Sequence, residues 1–242
     1  MNYISWCGLI LSIIAILGFA AAGPGHRFRF WGFKAGIGMV KYAAYFSLAA
    51  MAACVLGLAL STAGILAGGI VPALIGLVIG GFVSVWTLKW KLNLNSVPYI
   101  HDITTDTRNP PLFVAILPLR AGAPNSAEYG GPELAKQQLK GYPHLRPAGL
   151  RSTPRSAFPL ALNAAKDMGW KIVASDPRTL RIEATDTTLW FGFKDDVVVR
   201  ITPAPKGSRI DVRSVSRVGE SDVGTNARRI NAYLTRVTQS GA

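Results

Sequence analysis

The chain has 242 residues, half of them hydrophobic, and 26 basic residues against 13 acidic ones. No Asp or Glu precedes Asp102, so we predict two parts, a transmembrane region over residues 1–92 and a soluble domain over residues 93–242. The basic residues of the second part are scattered, with neither a Lys/Arg-rich run nor an aromatic RNA-binding motif, which argues against nucleic acid as a partner.

Three apolar stretches reach the length of about 20 residues that a helix needs to cross the hydrocarbon core of a bilayer. They cover residues 3–22, 42–60 and 65–86, and each predicts a membrane-spanning helix. The first has no Lys or Arg ahead of its apolar run, so we interpret it as an anchor rather than a cleaved signal peptide. No ionisable side chain lies deep in any span, which argues against an ion pathway, a proton relay or a coupled transporter.

Only Ser61–Gly64 joins the second and third spans, which predicts an antiparallel helical hairpin. Lipid gives no hydrophobic drive for helix association, so small residues that permit close backbone approach take its place. Such residues recur at a spacing of four positions: Ala49, Ala53 and Gly57 on the second span, and Gly64, Gly68, Gly76 and Gly80 on the third. We expect these stripes to face each other, and we expect Pro72 to bend the third helix in its middle.

Basic residues indicate the orientation in the membrane. They flank the spans on one side and are missing from the other: Arg27, Arg29, Lys34, Lys41, Lys89 and Lys91. The positive-inside rule therefore predicts a cytoplasmic soluble domain and an external N-terminus. Cys7 and Cys54 both lie in apolar segments, so neither a disulfide framework nor a zinc site is expected.

The soluble half begins with a loop and a helix. Gly, Pro and Ser are frequent over Arg120–Glu133, which is typical of an exposed loop. A helix is expected to begin near Pro154, a residue suited to a first turn, and to stop at Gly169. Four strand signals follow: Trp170–Ser175, Leu180–Thr185 continuing into Thr188–Phe193, Val197–Thr202, and Arg209–Ser216. A final amphipathic helix is predicted over Val223–Val237.

Alternation along the strands predicts two different faces of one sheet. Ile182 and Ala184 alternate with Arg181 and Glu183, so we expect one face to be buried and the other to meet water. The predicted fold class is therefore α+β. It comprises a three-helix transmembrane region and then a two-layer soluble domain, in which two helices pack on an antiparallel sheet of four to five strands.

The stretch HDITTDTRNPP, from His101 to Pro111, contains the first candidate site. His101, Asp102 and Asp106 are the candidate catalytic residues, and Thr104 and Thr105 suit a phosphate or another ligand. A catalytic zinc site needs three protein ligands with His prominent, so no metal is expected. The same residue types cap turns and helix starts through hydrogen bonds to the backbone, and this structural interpretation stays open beside the functional one.

Charged residues on the predicted strands supply a second set of candidates. Asp195 and Asp196 either work with Glu183 in acid–base catalysis or terminate strands in a tight turn. Arg200 and Arg213 are candidate ligand-binding residues, because a guanidinium recognises carboxylates and phosphates.

The junction before the final helix supplies a third set. Ser221 or Asp222 suits the N-cap of that helix, and the free amides there also suit an anion beside Arg217. The aromatic residues within Trp190–Phe193 are expected in the core or on a face of the sheet. No G-x-S-x-G, P-loop, G-x-G-x-x-G, HExxH or CxxC motif occurs, so standard hydrolase, nucleotide and zinc-protease chemistries lose support and no cofactor is expected.

Four stretches of the soluble half are distinctive in their order and wording: VPYIHDITTDTRNPP, GW at Gly169 and Trp170, RIEATDTTLWFGFKDDVVVRI, and RIDVRSVSRVGESDVGTNARRI. Together they resemble the bacterial and plastid domain-of-unknown-function family 1499 over residues 97–237. The resemblance implies no activity. It implies a small envelope-associated domain, often exported or lipid-anchored, and so favours the periplasmic side, against the charge count.

These observations favour a non-enzymatic, multi-pass membrane-anchored binding or assembly module of the bacterial cell envelope, in the inner membrane. Its expected partners are the lipid bilayer and either an envelope protein or an amphiphilic ligand. The alternative is a hydrolase or transferase acting on an envelope substrate, with the His101–Asp106 stretch and Arg200 or Arg213 as its polar groups. Enzyme activity, membrane side and oligomeric state are left open by the sequence.

Overall fold

The computed structural model describes residues 1–240, which divide into two compact units. The first comprises Met1–Asn93 and Leu189–Gly192, and the second comprises Leu94–Thr188 and the chain from Phe193 onward. The predicted domains, residues 1–92 and 93–242, stay a prediction, and residues 241–242 lie outside the described residues.

Long helices form most of the first unit: α1 (Tyr3–Arg27), α2 (Phe33–Thr62) and α3 (Ile70–Ser96). All three are long and apolar enough to cross a membrane, which confirms the three predicted helices. α2 begins before its predicted apolar stretch, and α3 ends after its own because good helix formers such as Lys89 and Lys91 continue its last turns. The Asn2 side chain begins α1 by accepting the Ser5 N–H at 3.2 Å.

Glycines bring the helices of the first unit into close contact. A Cβ on Gly57 of α2 would lie 2.3 Å from a serine hydroxyl oxygen of α1, and one on Gly76 of α3 would lie 2.5 Å from the Cys54 sulfur. Neither position has room for a larger residue. Gly57 is buried as predicted but faces α1 rather than α3, and Ala49 is exposed, so the predicted stripe on α2 is wrong in its partner. Gly76 and Gly80 of α3 do face α2.

The turn between α2 and α3 is longer than predicted. Gly64 and Gly68 lie in it at φ values of +73° and +74°, a left-handed conformation that glycine adopts without strain. Because α3 begins at Ile70, Pro72 lies in its first turn, where the missing N–H breaks no helical hydrogen bond. The predicted bend at Pro72 in the middle of the third helix is therefore wrong.

Leu189–Gly192 is a turn that belongs to the first unit, not the continued strand that the sequence predicted. The Trp190 ring lies 4.9 Å from that of Phe19, centroid to centroid. A Cβ on Gly23 would lie 2.4 Å from Trp190 Cδ1, so only glycine leaves room for this indole. The Phe191 carbonyl accepts a hydrogen bond from His26 Nδ1 at 2.7 Å. Trp190 is thus not a residue of the sheet.

An antiparallel sheet forms the centre of the second unit. Its strands are β1 (Asp102–Thr104), β2 (Ala148–Leu150), β3 (Lys171–Asp176), β4 (Arg181–Thr187), β5 (Lys194–Ala204) and β6 (Gly207–Ser216). The order is β1-β6-β5-β4-β3, and β2 also pairs with β6. The helices are α4 (Gly131–Gly141), α5 (Pro154–Asp167) and α6 (Thr225–Ser240), with a short 3₁₀ helix over Leu117–Arg120. The predicted α+β fold is confirmed.

One face of the sheet forms the main core with α5 and α6. Thr153 caps α5 by accepting the Ser156 N–H at 3.3 Å, and Gly169, at φ +74°, follows the helix as the sequence predicted. Between the helices and the sheet, the rings of Trp170 and Tyr233 stack at 4.9 Å. This face is apolar because every second residue of β4, β5 and β6 is aliphatic or Ala over most of their length.

The other face is largely withdrawn from water, so the prediction that it meets water is wrong. Glu183, Asp211 and Arg213 are buried, at 1%, 1% and 0% exposure. Residues 105–130, the cover segment, connect β1 to α4 and lie over these side chains. A smaller apolar cluster, which includes Phe113 and Ile116, anchors the segment to the sheet.

Candidate functional site

A layer of ion pairs lies between the sheet and the cover segment. The ionic layer consists of Asp102, Asp106, Glu183, Asp196 and Asp211 with Arg120, Arg181, Arg200, Arg209, Arg213 and Arg217. Cross-strand register aligns these side chains, because Glu183 pairs with Val198 and Val198 pairs with Arg213. Directly paired residues of antiparallel strands share one face. The charged positions that alternate along β4, β5 and β6 therefore meet.

Asp102 and Arg213 form a fully buried pair in this layer. Nε and Nη2 of Arg213 donate to the two carboxylate oxygens of Asp102 at 2.9 and 2.7 Å. The rings of Phe113 and Tyr129 lie 5.2 and 5.4 Å from the guanidinium carbon, and Nη2 also donates to the Ala127 carbonyl at 2.8 Å. The candidate catalytic residue Asp102 and the candidate ligand-binding residue Arg213 thus meet, but their charged groups are already hydrogen-bonded to each other.

Tyr129 is the titratable neighbour of this pair. Burial, and to a smaller extent the Asp102 carboxylate, raise the pKa of Tyr129 to about 12, while Arg213 opposes the rise. The hydroxyl therefore keeps its proton at neutral pH. Within residues 1–240 that buried oxygen has no hydrogen-bond partner, so the ring, rather than the hydroxyl, makes the contact with Arg213.

Asp106 lies in a second group, at the more exposed edge of the layer. Its Oδ2 accepts hydrogen bonds from Arg200 at 3.2 Å and from Arg209 at 2.9 Å, and both arginines also contact Asp211. Its Oδ1 accepts the backbone N–H groups of residues 108–109 at 3.1 and 3.0 Å. Asp106 is thus both the turn cap that the sequence left open and an ion-pair partner. The Arg209 side chain is 43% exposed and Arg200 23%.

Asp196 joins two arginines in a third group. Arg120 donates to it at 2.7 Å, Arg217 donates to both of its oxygens at 2.8 Å, and Thr185 donates at 2.7 Å. Arg217 also holds the cover segment by donating to a backbone carbonyl at 2.8 Å. The structure thus places Arg217 on a carboxylate, away from the anion site that the sequence suggested for it.

Asp195 and Asp196 lie in β5, so their assignment to a tight turn is wrong. Adjacent strand residues point to opposite faces, and Asp195 pairs with Arg229 of α6 at 2.5 Å on the helical side of the sheet. Arg229 also donates to Asp186 at 2.7 Å. Asp196 is fully buried in the ionic layer, and no hydrogen bond in the described part of the chain joins either acid to Glu183. The acid–base pair with Glu183 is therefore not assembled.

The remaining candidates bond mainly to the backbone. His101 Nδ1 lies 3.2 Å from the Glu220 carbonyl oxygen. Gln138 of α4 bonds both backbone groups of Thr104, at 2.9 and 2.7 Å, and the Thr105 hydroxyl accepts the Val212 N–H at 2.9 Å. His101, Thr104 and Thr105 thus have a structural role, because these bonds fix β1 and the residues on either side of it.

The turn before α6 is also capped as one of the sequence alternatives proposed. The Ser221 hydroxyl accepts the Val223 N–H at 3.2 Å, and the Asp222 carboxylate accepts the N–H groups of Gly224 and Asn226, both at 2.8 Å. Burial raises the pKa of Asp222, and these two N–H groups oppose the rise. The amides proposed for an external anion are thus bonded by the protein's own side chains.

Sequence reasoning missed Arg120, Arg209, Asp211 and Gln138. Arg120 and Gln138 lie outside the strands, so no alternation in the sequence indicates that their side chains point inward. Arg209 and Asp211 lie on the face of the sheet that the alternation predicts to meet water. The one available signal was that Arg209, Asp211 and Arg213 place a charge at every second position of β6, where Asp211 pairs in register with Arg200 of β5.

The described residues contain no group of three His, Cys, Asp or Glu side chains that is arranged to hold a metal ion. The second unit has a shallow apolar depression at the end of the β5–β6 hairpin, lined by Gly149, Leu150, Arg151, Pro205 and Ser208 among others. None of the candidate residues lines this depression.

The chain matches the family model described as protein of unknown function (DUF1499) over residues 102–237, which is more than half of its length. The chain belongs to this family. The resemblance seen in the sequence is thereby confirmed. No curated protein matches the chain.

The DUF1499 region extends from β1 almost to the end of α6 and so contains the complete ionic layer. The three long helices precede it. The family match therefore covers most of the second unit and assigns no reaction to it, so the geometry of the unit is the remaining guide to function.

Proposed function

We propose that this protein is a membrane-anchored, non-enzymatic binding or assembly module of the bacterial cell envelope, located in the inner membrane. The observation that carries the proposal is that the candidate catalytic side chains already have internal partners. Asp102 and Asp106 accept hydrogen bonds from arginines, and His101 contacts a backbone carbonyl. A general acid or base has to reach a proton of its substrate, which the engaged carboxylates of Asp102 and Asp106 do not offer.

The outer side of the cover segment supplies a surface for binding. Residues Leu112–Leu119, the 112–119 segment, expose Leu112, Val114, Leu117 and Leu119 while Phe113 and Ile116 point inward. Contiguous exposed apolar side chains on a folded unit mark an interaction site more often than isolated ones do. An envelope protein or an amphiphilic ligand is the class of partner that such a surface suits.

The hydrolase or transferase alternative has no specific observation in its favour among residues 1–240. Its proposed residues fall into separate groups, because Asp102 binds Arg213 whereas Asp106 binds Arg200 and Arg209. A nucleophile, a base and an oxyanion site have to converge on one reacting atom.

Photo-crosslinking in native membranes tests the proposal. A photoreactive amino acid at Leu117 of the full chain is expected to give adducts, whereas the same amino acid at Leu139 is expected to give none. Leu139 is a matched control because it is also an exposed leucine of the second unit, at 41% against 47% for Leu117. Adducts at neither position, or equally at both, would overturn the proposed binding surface.

The membrane side of the DUF1499 unit is a separate question, because the basic residues around the spans favour the cytoplasm and the family resemblance favours the periplasm. We propose the cytoplasmic side, since the charge count belongs to this chain itself. A C-terminal fusion to a reporter that is active only in the periplasm is expected to be inactive, and an active fusion would reverse the assignment.

A further inference from the structure

The 112–119 segment concentrates the exposed apolar side chains of the second unit. Leu112, Val114, Leu117 and Leu119 are 70%, 50%, 47% and 52% exposed. In the described part of that unit, only Tyr99 and Leu139 are also large, hydrophobic and exposed. Burial of such a side chain is worth about 1.5–3 kcal/mol, so leaving four of them in water is a considerable cost.

The exposure is not the result of a loosely held loop. Both oxygens of the buried Glu183 carboxylate accept hydrogen bonds from the consecutive N–H groups of Val114, Ala115 and Ile116, at 2.9 to 3.1 Å. On the C-terminal side, Arg120 binds Asp196 at 2.7 Å. The segment is therefore fixed at its middle and at its end, with one row of side chains packed inward and the other presented outward.

The charge around the segment indicates what it meets. No acidic residue occurs between Asp106 and Glu128, and the exposed charged residue nearest in sequence is Arg108. Aliphatic side chains with a neighbouring cation complement the boundary of a bilayer, where anionic headgroups overlie acyl chains. An acidic protein partner would not need four aliphatic side chains, and a purely apolar partner would not pair with the charge of Arg108.

The long helices of the first unit would tether the second unit to a bilayer. α3 is long and apolar enough to cross a membrane, and the second unit follows it directly in the chain. Tethering raises the effective concentration of lipid at the segment, so an insertion too weak to recruit a free domain suffices for an anchored one.

We propose that the 112–119 segment inserts into the lipid headgroup boundary of the membrane that anchors the chain, with anionic lipid as its preferred occupant. The inference rests on the proposed binding function and names the partner at the same surface. Leu112, Val114, Leu117 and Leu119 enter the acyl boundary, and Arg108 contacts lipid phosphate.

Depth-dependent fluorescence quenching tests the proposal on the full chain. The chain has two cysteines, so a Cys7→Ser, Cys54→Ala background accepts a single Leu117→Cys, labelled with an environment-sensitive fluorophore. Each labelled chain is placed in nanodiscs of phosphatidylethanolamine and phosphatidylglycerol. Leu139→Cys in the same background is the matched control. Lipids with a nitroxide on the acyl chain are expected to quench the label at 117 several-fold more than at 139, and aqueous iodide is expected to quench it several-fold less.

Two results would overturn the proposal, and they differ in what else they affect. Equal quenching by iodide at 117 and 139, without quenching by lipid nitroxide, would show a surface in water and would count against the proposed binding function as well. Protection at 117 from both quenchers would indicate a second copy or another protein, which overturns the lipid occupant and leaves the binding function standing.

The headgroup preference is tested in the same system. Replacing phosphatidylglycerol by phosphatidylcholine, or Arg108 by Gln, is expected to reduce the nitroxide quenching at position 117. Unchanged quenching in both cases would overturn the anionic preference.

Discussion

The two units of this protein bury opposite kinds of side chain. In the first unit, the buried residues of α1, α2 and α3 are mainly glycine, alanine and serine, with no Asp, Glu, Lys or Arg among them. In the second, four acidic side chains, Asp102, Glu183, Asp196 and Asp211, are buried on one face of the sheet together with Arg120 and Arg213. The first unit therefore tolerates no added volume at its contacts, and the second tolerates no unpaired charge.

The difference follows from the solvent for which each unit is suited. Helices apolar on all sides gain nothing by hiding apolar surface from lipid, so close backbone contact at residues such as Gly57 and Gly76 holds them together. In water, the aliphatic face of the sheet supplies the drive to fold. The ionic layer adds directional contacts that fix the cover segment in one register, provided each charge keeps its partner.

The sharpest test of the second half of this comparison is Arg213→Met. Asp102 would stay buried without its partner, and we expect a loss of about 3–5 kcal/mol in the free energy of unfolding. Hydrogen-exchange mass spectrometry on β6 peptides of the full chain in detergent measures this loss. Arg209→Met is the matched control, because that side chain is 43% exposed and its loss is expected to stay below about 1 kcal/mol.

A double variant separates pairing from packing at the same site. Asp102→Leu combined with Arg213→Met removes both charges, and it is expected to recover much of the stability that the single variant loses. A double variant as unstable as Arg213→Met would contradict the view that the unpaired carboxylate is the cause.

The first half of the comparison is tested by Gly57→Ala. The added Cβ would lie 2.3 Å from Ser5 Oγ and 2.8 Å from the Ser5 backbone nitrogen, so the helices have to move apart. We expect a loss of about 1–3 kcal/mol, measured as a lower thermal stability of the full chain in detergent. Gly38→Ala in the same helix has nothing within 4 Å of its added Cβ and is expected to be neutral or slightly stabilising. Equal losses in both variants would mean that close contact is not what holds this unit.

The sequence predicted well wherever a pattern was long enough to read. The three long helices were indicated by the length of their apolar stretches, and α5, α6 and β3 to β6 by their periodic or strand-forming residues; all of these elements are present. β1 and β2 have three residues each, too few to show alternation, and α4 begins inside the predicted Arg120–Glu133 loop because its Gly-Pro start resembles loop composition.

The candidate site was predictable in its residues and not in their partners. His101, Asp102, Asp106, Arg200, Arg213 and Arg217 were singled out by type and spacing. Their partners lie far along the chain, and alternation alone says which residues share a face without saying whether another segment covers it. The cover segment has no regular period, so the burial of the charged face carried no sequence signal.

Tyr129→Phe gives the smallest expected effect and tests how the cover segment protects the ionic layer. The ring on Arg213 is kept, and the hydroxyl has no hydrogen-bond partner within residues 1–240, so at pH 7 the free energy of unfolding is expected to change by less than about 0.5 kcal/mol. The folded-state pKa of about 12 lies above the ordinary value of 10.0. The folded protein thus holds this proton more tightly than the unfolded chain does, and the resulting stability is complete below the unfolded value and lost as the pH rises through about 12. Thermal melting of the full chain in detergent, followed between pH 9 and pH 12, is therefore expected to fall less steeply for the Phe variant. Parallel curves for the two proteins would mean that Tyr129 meets water, and hence that the segment covering Asp102 and Arg213 opens readily.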